Sequence, residues 1–340
     1  FESISFNSSS GNKITIKTPE LEPGDKGYNE VKNYVKNKFD SFYNAIKSSN
    51  ENLADYADVD SVTKIYLINE LGKNWDSGVS SLYFTYKQDE NGNWKFYGSP
   101  VWDYDNSLGN AKGVEWDLRN IGVYDYEKYS GWWCKYKDKD KNSSSTNNVM
   151  NLIARNKNVL KAAPQVWFED FVPAMQTFMS SGVSEGEIYS SDVYYSYIKG
   201  SAEMNYKSGW LLNTGSWIAN HSKLNVATFD YSTGKYTVSN TVTKYSNDFD
   251  GMYNYCADWF TSRAAWLSSE MYADYEPTNP RLENDLNNDG IVDVRDATAL
   301  QLYIADSGTL DAEGVKMADI NKDGVIDVRD VTALQQIIAQ

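Results

Sequence analysis

Asp285-Leu-Asn-Asn-Asp-Gly-Ile-Val-Asp-Val-Arg-Asp296 returns 34 residues later as Asp319-Ile-Asn-Lys-Asp-Gly-Val-Ile-Asp-Val-Arg-Asp330, and a repeat of that fidelity marks two copies of one folding unit. Each copy places an oxygen-bearing side chain at positions 1, 3, 5, 9 and 12, with glycine at position 6, where a chain wrapping a cation has to reverse. Calcium takes six or more oxygens. The predicted ligands are therefore the side chains of Asp285, Asn287, Asp289, Asp293 and Asp296 with the Ile291 carbonyl, and those of Asp319, Asn321, Asp323, Asp327 and Asp330 with the Val325 carbonyl. Two bound Ca2+ are expected. Each loop runs into an apolar stripe of helical period, Ala297 to Ile304 and Val331 to Ile338, which predicts two helices packed on each other. Position 12 is Asp in place of the long bidentate Glu of sensor loops, and at most a short helix is expected ahead of Asp285, so the pattern departs from a switch that opens on binding.

Working outward, Glu276-Pro-Thr-Asn-Pro280 sets two prolines three residues apart, which interrupts helices and denies donors to a sheet. The expected organisation is a domain over 1–275, a linker over 276–283 and the repeat unit over 284–340. Residues 281–340 carry 5 basic against 12 acidic side chains of a total formal charge of −15. Such a field repels phosphate backbones and anionic lipid, so neither nucleic acid nor membrane insertion is expected. No apolar run approaches the roughly 18 residues of a bilayer span. The chain opens at Phe1 without a signal-type stretch and reads as a processed or truncated piece. Its single histidine, His221, and two cysteines, Cys134 and Cys256, speak against Ser-His-Asp hydrolysis and against a zinc site of Cys/His type. Carboxylates are left to carry any chemistry.

In the large domain helical periodicity covers Tyr28 to Ser48, Val59 to Leu71, Asn148 to Leu160, Ala162 to Met179, Asp192 to Ser222 and Phe249 to Ser269. Alternation over Ser81 to Tyr86 and Trp94 to Tyr97, about an Asp89-Glu-Asn-Gly92 turn, predicts one hairpin. The predicted class is mainly α with a small β-hairpin insert, followed by a small all-α unit with two EF-hand-like calcium loops.

The duplicated loop-plus-helix unit resembles a type I dockerin, the module that plugs a protein into a cohesin of a cellulosomal scaffoldin. The resemblance implies an extracellular, cellulosome-associated protein whose cohesin-binding residues are Val294, Arg295, Gln301 and Leu302 in the first copy and Val328, Arg329, Gln335 and Gln336 in the second. Since Val-Arg and Thr-Ala-Leu-Gln occur in both, a second, two-fold-related docking orientation is expected; a core role for Val294 and Val328 is the plainer alternative.

Three further stretches stand out: Tyr66 to Asp76, Ser80 to Lys87, and Gly98-Ser-Pro-Val-Trp-Asp-Tyr-Asp-Asn-Ser-Leu-Gly-Asn110. A hairpin returns the chain to its start, so Asp76, Asp103 and Asp105 are expected on one rim, where carboxylates can hold Mg2+ on a phosphate while another orients a hydroxyl. These stretches resemble the CotH family, spore-coat or secreted proteins with an atypical kinase-like fold that phosphorylate serine using ATP. Lys13 to Glu20, Asn151 to Asn158 and Trp259 to Leu267 add to the resemblance, which spans roughly residues 10 to 270. It implies Asp76 as the catalytic base, Asp103 and Asp105 as ligands of Mg2+ or Mn2+ with ATP, and Asn110 as a site residue of the same motif; Asn74 and Glu70 would support. Five residues past Asp76, where kinases carry a metal-binding Asn, this chain has Ser81. The residues ahead of Lys13 are too few for a nucleotide-gripping lobe, so a C-terminal-lobe portion, kinase or pseudokinase, is expected. Two rival readings are a plant-polysaccharide hydrolase or carbohydrate-binding cargo, with Trp75, Trp94, Trp102, Trp116, Trp132 and Trp133 gripping sugar, and a structural cargo that only binds cohesin. The acceptor is then a protein or a carbohydrate.

Overall fold

The computed structural model describes residues 4–8, 13–48, 52–74, 81–104, 107–109, 128–134, 149–182, 184–185, 188–207, 223–246, 248–276, 281–288 and 290–339. They fall into two compact units, residues 1–228 with 237–275, and residues 276–340 with 229–236.

The larger unit is built around helix α2 (Val59–Gly72), which follows α1 (Tyr28–Lys47). Asp58 caps α2 by accepting the Ser61 amide at 2.8 Å, and Lys73, at φ 47°, closes it by donating its amide to the Asn69 and Glu70 carbonyls. Side chains are buried on every face of α2, as suits a helix surrounded by others. Against it lies an antiparallel hairpin, counted β3 (Phe84–Gln88) and β4 (Trp94–Gly98) after a short pair β1 (Ser5–Asn7) and β2 (Lys13–Thr15), with Phe84 opposite Gly98 and Lys87 opposite Lys95. Phe84 and Phe96 meet Phe42 of α1 at ring distances of 5.3 and 4.9 Å. Gly98 touches α2 so closely that a Cβ would stand 2.5 Å from Ile65 Cγ2 and 2.7 Å from the Ser61 carbonyl.

Beyond the hairpin come α3 (Val149–Ile153), α4 (Lys157–Val166), a π-turn (Trp167–Phe171) and α5 (Val172–Met179). The two helices expected over Asn148–Leu160 and Ala162–Met179 are thus divided differently. The break falls at Ala154–Asn156, because the Asn156 side chain accepts the Asn158 amide at 2.9 Å and starts a new helix there. Then follow β5 (Ser184–Glu185), β6 (Ile188–Tyr189), α6 (Ser191–Lys207), β7 (Lys223–Leu224), β8 (Ala227–Asp230), β9 (Lys235–Val238), β10 (Thr243–Lys244) and α7 (Phe249–Met271). The stretch 208–222, read as helix in the sequence, lies outside the described residues. Among the described residues the one expected hairpin is joined by four other two-stranded pairs, whose strands of two to four residues are too short to show alternation. Its first strand also begins later than expected, at Phe84, since Ser81 turns away toward Asp103.

Arg263 of α7 and Glu70 of α2, both fully buried, meet at 2.7 Å. The Arg263 guanidinium also donates to the carbonyls of Glu70, Tyr129 and Gly131 at 2.8, 2.8 and 2.7 Å, while Glu70 accepts the amides of Trp133 and Cys134. Burial pulls the guanidinium below its ordinary pKa, and Glu70 opposes that pull. Arg263→Met strands a buried carboxylate and three carbonyls; a loss of about 3–5 kcal/mol is expected in urea unfolding, and a loss below about 1 kcal/mol would show that the pair does not tie α2 to α7.

The smaller unit contains α8 (Val294–Ile304), α9 (Ala312–Met317) and α10 (Val328–Ile338). Leu286, Ala297, Leu300, Ala318, Val331 and Leu334 form its core. The two main helices start three residues before the apolar stripes do, because Asp293 and Asp327 cap them. Val294 and Val328 are exposed, which sets aside the core role weighed for them.

Candidate functional site

Of the carboxylates expected on one rim, Asp103 is described; Asp76, Asp105 and Asn110 lie outside the described residues. Asp103 follows the segment Gly98–Trp102 that leaves β4, and its backbone stands at φ 65°, a left-handed conformation that costs a side-chain-bearing residue energy and that Asp tolerates better than most. Two side chains converge on it. Ser81 Oγ donates to Asp103 Oδ2 at 3.0 Å, and Asn74 Nδ2 donates to the Asp103 carbonyl at 3.1 Å. The position that kinases fill with a metal-binding Asn is therefore in contact with the expected metal-binding Asp.

Asn74 is itself fully buried at the end of α2, and its carbonyl accepts the Trp133 indole N–H at 2.9 Å. The neighbouring Lys73 donates to the carbonyls of Lys128 and Ser130 at 2.5 and 2.6 Å. Gly72 takes the Leu108 amide at 2.7 Å, and Gly109, at φ 79°, lies where a Cβ would approach Trp259 Nε1 to 2.7 Å. Residues on both sides of the described Asp103 are in this way fastened to α2 and α7. Lys73 was not singled out in the sequence and Trp133 was weighed there only for sugar, because their partners here are backbone atoms, which leave no pattern in side-chain spacing. Next to this segment opens an apolar cavity of about 530 Å3, lined among others by Ile65, Ile68, Val101, Met175, Phe178 and Phe260. Cys134 and Cys256 are not joined in a disulfide, and burial raises the pKa of Cys256.

In the smaller unit the expected ligand residues lie in two loops that repeat the same hydrogen bonds, with Asp289 outside the described residues. The Gly290 amide donates to Asp285 Oδ2 at 3.0 Å and that of Gly324 to Asp319 Oδ2 at 2.9 Å. Both glycines have positive φ, 82° and 86°, at the reversal of each loop. Asp296 and Asp330 at position 12 are fully buried. Asp296 accepts the Asn287 and Asp293 amides at 3.0 and 2.8 Å; Asp330 accepts those of Asn321 and Asp327 at 3.1 and 2.9 Å. These are one-donor contacts to oxygens that each carry two lone pairs, so acceptor capacity remains at the centre of each loop. Asp293 and Asp327 are held below the usual carboxylate range by Arg295 and Arg329. Among the described residues no three His, Cys, Asp or Glu side chains are gathered as a metal cluster. The donors are nonetheless all oxygens, and the carboxylates of Asp285, Asp296 and Asp330 are buried, which suits a hard cation such as calcium. Of the expected cohesin-facing side chains, Val294, Arg295, Leu302, Val328 and Arg329 are exposed, as are Gln301, Gln335 and Gln336 on the same helices.

Residues 2–161 match the family model described as CotH kinase protein, and residues 283–339 match that of the dockerin type I domain. The chain carries a CotH-family domain followed by a type I dockerin. It is accordingly a cohesin-binding cellulosomal cargo protein. No curated protein and no solved structure matches it. Among the described residues no helix is long and apolar enough to cross a membrane.

Asp330→Ala removes the acceptor of two loop amides and the partner residue of the α10 capping box. An unmatched donor that is fully buried costs about 1–3 kcal/mol, and these part-buried amides cost less. The variant is expected to lose amide-exchange protection over 319–338 while α2 keeps its own; unchanged protection over 319–338 would contradict this.

Proposed function

We propose that the chain is an extracellular cargo protein whose calcium-loaded dockerin attaches it to a scaffoldin, and whose CotH-family domain holds ATP with Mg2+ or Mn2+ at a site centred on Asp103. The convergence of Ser81 and Asn74 on Asp103, in a strained backbone conformation, carries this reading. Asp103, with Asp105, would hold the metal, which when bound neutralises charge on the transferring phosphoryl group. Asp76 would orient the acceptor serine hydroxyl and take its proton. Ser81 fixes the Asp103 carboxylate, and Asn74 fixes its backbone. The apolar cavity beside Val101 supports the reading, since ligand sites combine such walls with a few polar groups. Kinase and pseudokinase forms both bind nucleotide on this reading; phosphate transfer from labelled ATP separates them.

Calorimetric titration of ATP with Mn2+ into the chain is expected to give saturable heat that Asp103→Ala abolishes. A silent wild type, or an Asp103→Ala variant that binds equally well, contradicts the assignment.

For the dockerin, chelation by EGTA is expected to unfold residues 281–340 and to abolish cohesin binding, because metal-binding energy is folding energy in so small a unit. Tight cohesin binding retained in excess EGTA overturns this.

A carbohydrate reading keeps one specific support. Trp94 is 49% exposed and stacked on Tyr86 at 5.2 Å, and Trp102 is 58% exposed beside Tyr83. Of the other tryptophans weighed for sugar, Trp133 is buried and Trp132 packs on Trp266, whereas Trp75 and Trp116 lie outside the described residues. Retention on cellulose or xylan distinguishes this reading from the first.

A further inference from the structure

In the second loop, Arg329 Nη1 lies 2.8 Å from Asp323 Oδ2, and Nη2 lies 2.7 Å from Asp327 Oδ2. Its Nε reaches both oxygens of Asp327 at 3.0 Å. One guanidinium thus bridges loop positions 5 and 9, two of the residues whose oxygens the loop would offer to calcium. Asp327 is held in three ways at once: Oδ1 also accepts the Arg329 amide at 2.8 Å as the helix cap. Asp323 is held more loosely. Its Oδ1 takes the Val325 amide at 3.0 Å, and its Oδ2 meets the guanidinium. Arg329 is at the same time 60% exposed at the start of α10, on the surface expected to meet cohesin.

We propose that Arg329 competes with calcium for Asp323, so that metal binding in the second loop releases one arm of the guanidinium toward the partner surface. The inference rests on the calcium reading of the loops. In a 12-residue loop, position 5 coordinates directly and position 9 often through water. The metal therefore needs Asp323 to turn inward and can leave the Asp327 grip intact. Arg329 then stays anchored at Nε and Nη2 while Nη1 is freed. The guanidinium's rigid fork makes this partial release possible; an ammonium holds its partners as a point charge. Exposed ion pairs are weak, so the competition is modest, a shift of at most about five-fold in affinity.

The test is a calcium titration of the full chain followed by the Gly290 and Gly324 amide resonances, which report the two loops separately. Arg329→Gln is compared with Lys322→Gln, which removes the same charge from the same loop without touching the Asp323 pair, and with wild type. The expected result is that Arg329→Gln tightens calcium at Gly324 by about two- to five-fold beyond the change in Lys322→Gln, with no such difference at Gly290. In wild type the Arg329 Nη resonances should also narrow or shift as Gly324 saturates. Equal tightening in the two variants would mean that only the field of the loop matters and would overturn the competition. Weaker binding in Arg329→Gln overturns it as well. A wild type in which neither glycine responds to calcium brings down the calcium reading and this inference together.

Discussion

The Glu70–Arg263 pair is the constraint on which the large unit depends. Two charges removed completely from water can be retained only if each finds its partner and its remaining hydrogen bonds, and here those bonds are supplied by backbone from a distant part of the sequence. The residues that satisfy the pair, Tyr129 to Cys134, are the same ones that hold Asn74 through the Trp133 indole. Asn74 in turn holds the Asp103 backbone. A continuous set of polar contacts therefore runs from the middle of α7 to the candidate site, and the position of Asp103 is inherited from the core.

The dockerin solves its problem differently. With six fully buried apolar residues and a partly buried surround, it has a small core, and units of this size usually need a staple. Its order is concentrated in the loops, where nearly every acidic side chain accepts a backbone amide. The same contacts appear twice with distances that agree within about 0.2 Å.

How much could be read in advance depends on the range of the interaction. The duplicated loops and the helices behind them were legible because residue spacing, the glycine and the following helix all lie within about 20 residues. α1, α2, the hairpin and α7 were legible from periodicity. The break at Asn156 was not, since the side chain of Asn156 also reaches the Ile46 carbonyl at 3.1 Å across 110 residues and no local pattern announces that. Glu70 was read as a minor supporting residue for the same reason: its importance comes from Arg263, 193 residues away. The Ser81 contact with Asp103 was likewise not legible, because it joins residues 22 positions apart across the hairpin.

Asp296 and Asp330 each close a loop and complete the capping box of the helix behind it. Loop and helix thus share one carboxylate. For a cargo protein that binds cohesin this has a mechanical meaning. Tension applied to α8 or α10 through a bound partner reaches the loop amides directly, with no compliant joint between. The loops therefore bear whatever load the helix starts bear, because the same carboxylate holds both.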